Sequence, residues 1–111
     1  MNTIKGTSKD EINFFIGSNN ETGELDLNTI RKAFYKQFVG VGFSILTGEG
    51  YFKDKETKQE FKEKSCIVKV LIDNLSFNQM DDILNFTQNL KRDLKQYAIY
   101  ITKQHLNFIE V

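Results

Sequence analysis

Few side chains in this sequence are equipped for chemistry, and they are scattered. His105 is the only histidine and Cys66 the only cysteine, so the usual histidine and thiolate sets cannot assemble a zinc site. Cys66 alternates with Val68 and Val70, which marks a core thiol rather than an activated nucleophile. Glu21, Glu24 and Asp26 lie close together and would offer a cation site or an acid–base pair. Calcium-loop spacing is absent, and a polar loop leading into a helix cap accounts for them. Gly40 with Gly42 and Gly48 with Gly50 invite a phosphate-cradling reading. Neither pair sits between a strand and a following helix, and no Lys-Ser/Thr follows, so the nucleotide-loop fingerprints fail. Tyr35, Tyr51, Tyr97 and Tyr100 remain as polar handles for a cofactor-free reaction. No cofactor is expected, and the pattern leans away from an enzyme.

The totals set the frame for these residues. A chain of 111 residues makes one domain with a single core. Fifteen basic side chains balance fifteen acidic ones, so no whole-molecule field draws in nucleic acid or an anionic membrane. No apolar run approaches the roughly 20 residues that span a bilayer, and MNTIKGTSKDE lacks the apolar core of a signal peptide. A single cysteine on an apolar face fits a reducing compartment, and the expected location is cytoplasmic.

The elements follow from periodicity. Residues 1–11 read as a flexible tail, and 12–111 as the domain. Ile12, Phe14 and Ile16 share one face of a first strand, INFFIG, with Phe15 on the other. Asp26 caps a helix with the stripe Leu27, Ile30, Phe34 and Phe38, which Gly40 and Gly42 end. Val41 to Asp73 then forms a long hairpin with a charged, flexible tip over residues 53–60. Gly48 and Gly50 inside it predict a bulge or bend. Cys66, Val68, Val70 and Ile72 form its apolar face. Ser76 and Gln79 make a capping box flanked by the staple pair Leu75 and Met80. The second helix carries Met80, Ile83, Leu84, Leu90 and Leu94, with Phe86 at the border. Tyr97 to Thr102 is a last full strand, and Leu106, Phe108 and Ile109 belong to a short closing segment, read as a fifth strand or as cover for the sheet.

Strand, helix, strand, strand, helix, strand is the order of an α+β ferredoxin-like βαββαβ domain, an antiparallel sheet with two helices on one face. Parity turns Phe15, Leu46, Ile67, Lys69, Leu71 and Tyr100 outward, away from the helices. A solvated sheet needs fewer large apolar groups than this. These six residues are therefore the candidate partner-binding face: a homodimer interface, a ligand surface, or a patch covered by the closing segment.

The chain resembles the ferredoxin-like superfold, which hosts regulators, RNA binders, cofactor-free oxygenases and metal chaperones. It lacks the M-x-C-x-x-C of the metal chaperones and the aromatic signature of RNA-recognition strands, since SCIVKVLI has no exposed aromatic pair. FFIGSNNETGE, GFSILTGEGYF and KEKSCIVKVLI also resemble, over residues 13–103, short uncharacterised proteins carried by phages and plasmids of AT-rich bacteria. That resemblance implies a mobile-element protein of the kind that inhibits host defence or soaks up its signals, and it carries no site residues.

Three expectations result. The first is a non-enzymatic binding protein, a stoichiometric inhibitor or sequestering factor for a host defence protein or a small signalling molecule. The second is a cofactor-free enzyme or ligand-binding regulator using the space between sheet and helices. The third, a nucleic-acid binder or mimic using Lys53, Lys55, Lys58, Lys62 and Lys64 of the hairpin, is disfavoured by the balanced charge.

Overall fold

The computed structural model describes residues 5–111. The elements run β1 (Lys5–Gly17), α1 (Leu27–Gln37), β2 (Phe43–Lys53), β3 (Glu60–Ile72), α2 (Phe77–Asp93) and β4 (Tyr100–Glu110). All strand pairs are antiparallel, in the order β2-β3-β1-β4. This is the ferredoxin-like α+β arrangement that the element order predicts.

The central strands explain why the sheet forms. Ile12 faces Val70, Phe14 faces Val68 and Ile16 faces Cys66, and all six are at most 2% exposed. Helix α1 lays Ile30 and Phe34 on this surface, and α2 adds Ile83 and Leu90. Phe14, Phe34, Phe38 and Phe86 meet mainly edge to face, with centroids 5.0–6.2 Å apart, the geometry that ring quadrupoles favour. These rings occupy the centre of the space between sheet and helices.

Both helix starts follow the sequence signals. Asp26 accepts the Thr29 amide at 3.0 Å and the Thr29 hydroxyl at 2.6 Å. Ser76 and Gln79 exchange the two bonds of a capping box at 2.9 and 3.1 Å.

Several expectations are corrected. Residues 5–11 of the predicted tail are strand: Lys5 to Glu11 pair with Glu110 to Gln104, while residues 1–4 lie outside the described part. These residues are polar because no helix covers this stretch, so periodicity is silent where backbone pairing is complete. For the same reason Leu106, Phe108 and Ile109 neither form a fifth strand nor fold over the sheet; they continue β4. The β1–β4 ribbon and the β2–β3 arm give the molecule extents of 62 × 26 × 24 Å. Gly48 and Gly50 make no bulge, since pairing runs one to one through Gly48↔Ser65 and Gly50↔Glu63. Leu27 and Leu84 are 37% and 46% exposed. Thr87 fills the place read for Leu84, its hydroxyl donating to the Ile83 carbonyl at 2.7 Å. The hairpin tip is an ordered turn in which Asp54 accepts the Glu56 and Thr57 amides at 2.9 and 2.8 Å.

Candidate ligand cleft

The six outward residues do not form one patch. Leu46 faces Ile67, Ile67 faces Phe15, and Phe15 faces Tyr100, so four of them make a continuous apolar row across the whole sheet. Leu46, Phe15 and Tyr100 are 56%, 38% and 72% exposed. Lys69 lies in the next row with Ser44 and Asn13, and Leu71 beyond it opposite Glu11. Four residues of strand, about 13 Å, therefore separate Leu71 from Ile67.

On the other side of this row the sheet surface falls away. The outward positions there are Gly48, Ser65 and Gly17, in cross-strand register. At Gly17 β1 ends, while β3 continues back to Glu60 with β2 alone beside it. The gap is a cleft of about 460 Å³ lined by Phe15, Gly17, Ser18, Asn20, Glu63, Ser65, Ile67, Gln96, Tyr97 and Tyr100, among others. That volume suits a small metabolite.

The polar groups of the cleft converge on the end of β1. A Cβ built on Gly17 would lie 3.2 Å from Glu63 Oε1 and 3.3 Å from Gln96 Oε1, so glycine keeps the ground under both oxygens clear. The Ser18 hydroxyl donates to Glu63 Oε2 at 3.4 Å. Gln96 accepts the Gly17 amide at 3.1 Å and donates to the Ser18 carbonyl at 2.6 Å. Tyr97 and Tyr100, 88% and 72% exposed, supply rings at the rim. Among the described residues, no lysine or arginine lines the cleft.

Other candidates from the sequence are accounted for structurally. Cys66 is 2% exposed, and burial pushes its thiol up to about 11, which keeps it protonated and unreactive near neutrality. His105 lies on the edge strand β4 with its side chain 58% exposed, and its Nδ1 is 3.0 Å from the Asp10 carboxylate. Tyr35 packs edge to face on Phe43 with centroids 5.0 Å apart, and Tyr51 donates to Glu49. Of the four tyrosines only Tyr97 and Tyr100 reach the cleft. Among the described residues there is no cluster of acidic, histidine or cysteine side chains able to hold a metal ion. No helix among them is long and apolar enough to cross a membrane.

A larger groove of about 540 Å³ runs between α1 and α2 past Lys36, Asp82, Asn85, Asn89 and Asp93. These polar side chains are all exposed, as are Glu63 and Asn20 of the cleft, but the groove has no counterpart of the buried Ser18 and half-buried Gln96.

Gly17, Ser18, Glu63 and Gln96 are cleft residues that sequence reasoning misses. Glu63 shares parity with Ile67, and counting back along β3 would have placed it on the outer face. Nothing in the local pattern announces Gln96.

No protein-family model matches the chain, and no curated protein matches it by sequence. Solved structures do match. A phage SAM lyase in complex with S-methyl-5′-thioadenosine is similar with a TM-score of 0.68 and 15% identity, over 92% of this chain and 88% of that one. The apo state of a phage SAM lyase gives 0.62 and 17%, over 95% and 89%. The GlnK–ATP complex of B. subtilis gives 0.51 and 12%, over 86% and 83%. At identities this low the likeness is one of fold.

Proposed function

We propose that this protein binds a small adenosine-bearing metabolite with a positive charge, of which S-adenosylmethionine is the type, and lowers its free concentration. The Glu63 carboxylate carries this reading. It stands over Gly17 in a cleft with aromatic walls and, among the described residues, no lysine or arginine in its lining. Tyr97, Tyr100 and Phe15 offer flat faces for a purine, and base–aromatic stacking is worth roughly 1–3 kcal/mol per base. Asn20 offers hydrogen bonds to a ribose, and the Ser18 hydroxyl oxygen offers an acceptor. A carboxylate favours a sulfonium or ammonium centre, whereas a triphosphate would want the basic residues the lining lacks. Two of the structural neighbours, a lyase with S-methyl-5′-thioadenosine and a GlnK with ATP, are complexes with adenosine compounds, which supports the choice of nucleoside.

Titration calorimetry with S-adenosylmethionine, S-methyl-5′-thioadenosine and ATP tests the reading. The first two should bind and ATP should bind at least tenfold more weakly. Glu63→Gln should weaken S-adenosylmethionine far more than the uncharged S-methyl-5′-thioadenosine. Failure of the wild-type protein to bind either would end the proposal.

Binding lowers a ligand's free concentration by sequestration or by cleavage. Sequestration needs one protein per ligand. Cleavage is favoured by the two lyase neighbours. It would break the bond between the sulfonium sulfur and the amino-acid chain while the substrate's own carboxylate attacks that carbon and closes homoserine lactone, the sulfur keeping the electron pair and leaving as S-methyl-5′-thioadenosine. Chromatography after incubation separates the two: product beyond one equivalent means turnover. Inhibition of a host defence protein through the Leu46–Ile67–Phe15–Tyr100 row is a further role that the resemblance to phage and plasmid proteins supports. Either role fits a cytoplasmic protein whose buried Cys66 stays reduced.

A further inference from the structure

We infer that Gln96 is a positioning residue for the cleft, aiming Glu63 at the ligand by clamping the end of β1 to the turn after α2. The inference rests on the cleft being the ligand site. It begins with how α2 ends. Lys95 adopts a left-handed φ of 54°, and the Gln96 amide returns to the Lys91 carbonyl at 2.9 Å. This is a Schellman closure in which a lysine takes the place usually given to glycine. The strained turn fixes the Gln96 backbone, so its side chain leaves the helix end in a set direction.

That side chain bridges two elements. It accepts from the Gly17 amide at 3.1 Å and donates to the Ser18 carbonyl at 2.6 Å. The Asn20 amide adds a third tie, to the Lys95 carbonyl at 3.1 Å. Ser18 is 7% exposed, and its hydroxyl reaches the Glu63 carboxylate at 3.4 Å. The chain Gln96–Ser18–Glu63 thus links the turn that carries Tyr97 to the one carboxylate of the cleft. Gly17 completes the bracket, since a methyl there would press on both Glu63 and Gln96.

The test has a ligand-free arm and a ligand arm on the full chain. In the first, hydrogen exchange at the Gly17 amide is compared in wild type, Gln96→Ala and Gln96→Glu. The glutamate keeps the acceptor for Gly17 but cannot donate to Ser18. Protection should fall at least tenfold in the alanine variant and be partly kept in the glutamate one. Equal exchange in wild type and alanine variant would overturn the clamp whatever the ligands do. In the second arm, the affinities for S-adenosylmethionine and S-methyl-5′-thioadenosine are measured well below the melting temperature. Gln96→Ala and Gly17→Ala should each weaken S-adenosylmethionine at least tenfold. They should weaken it more than S-methyl-5′-thioadenosine, which lacks the charge that Glu63 faces. A Gln96→Ala protein that loses the protection yet binds like wild type would overturn the positioning role and leave the ligand reading intact. Wild-type protein that shows the clamp but binds neither compound would overturn the ligand reading, and the positioning role with it.

Discussion

Asp10 and His105 sit opposite each other on β1 and β4, with His105 Nδ1 3.0 Å from one Asp10 carboxylate oxygen. The other oxygen accepts the Leu75 amide at 2.8 Å. One carboxylate, 6% exposed, thereby ties the β1–β4 ribbon to the loop that opens α2. The His105 hydrogen bond and then the Leu75 amide hold the Asp10 carboxyl below its ordinary value of 3.8, against a smaller upward effect of burial.

A pH dependence follows from that lowered value. The unfolded chain binds the proton more readily, so the stabilisation is fully present above about 3.8 and is lost as pH falls through the lower folded value. Lys103 lies on the same face of the sheet and adds to the lowering, whereas Lys9, 3.2 Å from Asp73, is on the opposite side of β1. Asp26, Glu49 and Asp54 are also lowered, so Asp10→Asn should remove only part of the acid slope. Thermal melts from pH 6 down to about pH 2 check it. An unchanged slope in the variant would mean that Asp10 does not titrate with folding.

Val70 is fully buried between Phe43 and Ile12 in the strand register. Val70→Asp places an unpaired carboxylate in the core and should cost on the order of 3 kcal/mol or more. A loss below about 1 kcal/mol in chemical denaturation would show that the assigned face is wrong.

Gly48 is the reverse case. Its φ is not in the left-handed range, a Cβ there meets nothing within 4 Å, and its pairing with Ser65 is regular. Nothing inside one chain requires glycine, so Gly48→Thr should stabilise the fold by roughly 0.5–1 kcal/mol. Denaturation midpoints decide it, and a destabilised variant would restore the bend that the sequence pattern predicts.

These positions also show what the sequence makes legible. The alternation of Ile12, Phe14 and Ile16 with Cys66, Val68 and Val70 exposes the central strands, because a buried face must be apolar at period two. Ser76 and Gln79 expose the start of α2 through a local bond pair. Lys5 to Glu11 stay hidden because their order comes from pairing with β4, which leaves no mark in side-chain polarity. Gly48 misleads because a glycine that regular strand pairing merely tolerates looks, in the sequence, like one kept for its backbone freedom. The cleft is hidden for another reason. Gly17, Glu63 and Gln96 come from three distant segments, and only the register of β1 on β3 and the turn after α2 bring them together.

Self-association through the outer sheet face is the last prediction. With β4 continuing as strand to Glu110, the closing segment does not shield the Leu46–Ile67–Phe15–Tyr100 row. Burying a side chain of this size is worth roughly 1.5–3 kcal/mol, while association costs about 4–15 kcal/mol in lost freedom. Leu46 and Tyr100, 56% and 72% exposed, bring most of that burial and the half-covered Phe15 and Ile67 less. The gain over two copies is therefore of the order of the cost, and a two-fold arrangement lets the same row serve both. Leu46→Glu puts a charge at an exposed end of the row without touching the core, and should yield a folded monomer. Leu71→Glu lies beyond the Lys69 row and should weaken the association less. Light scattering at micromolar concentration reads the mass directly. Phe15, Ile67 and Tyr100 also line the cleft, so ligand and self-association compete, and S-adenosylmethionine should shift the mass toward one chain. A wild-type mass of one chain without ligand would defeat the interface.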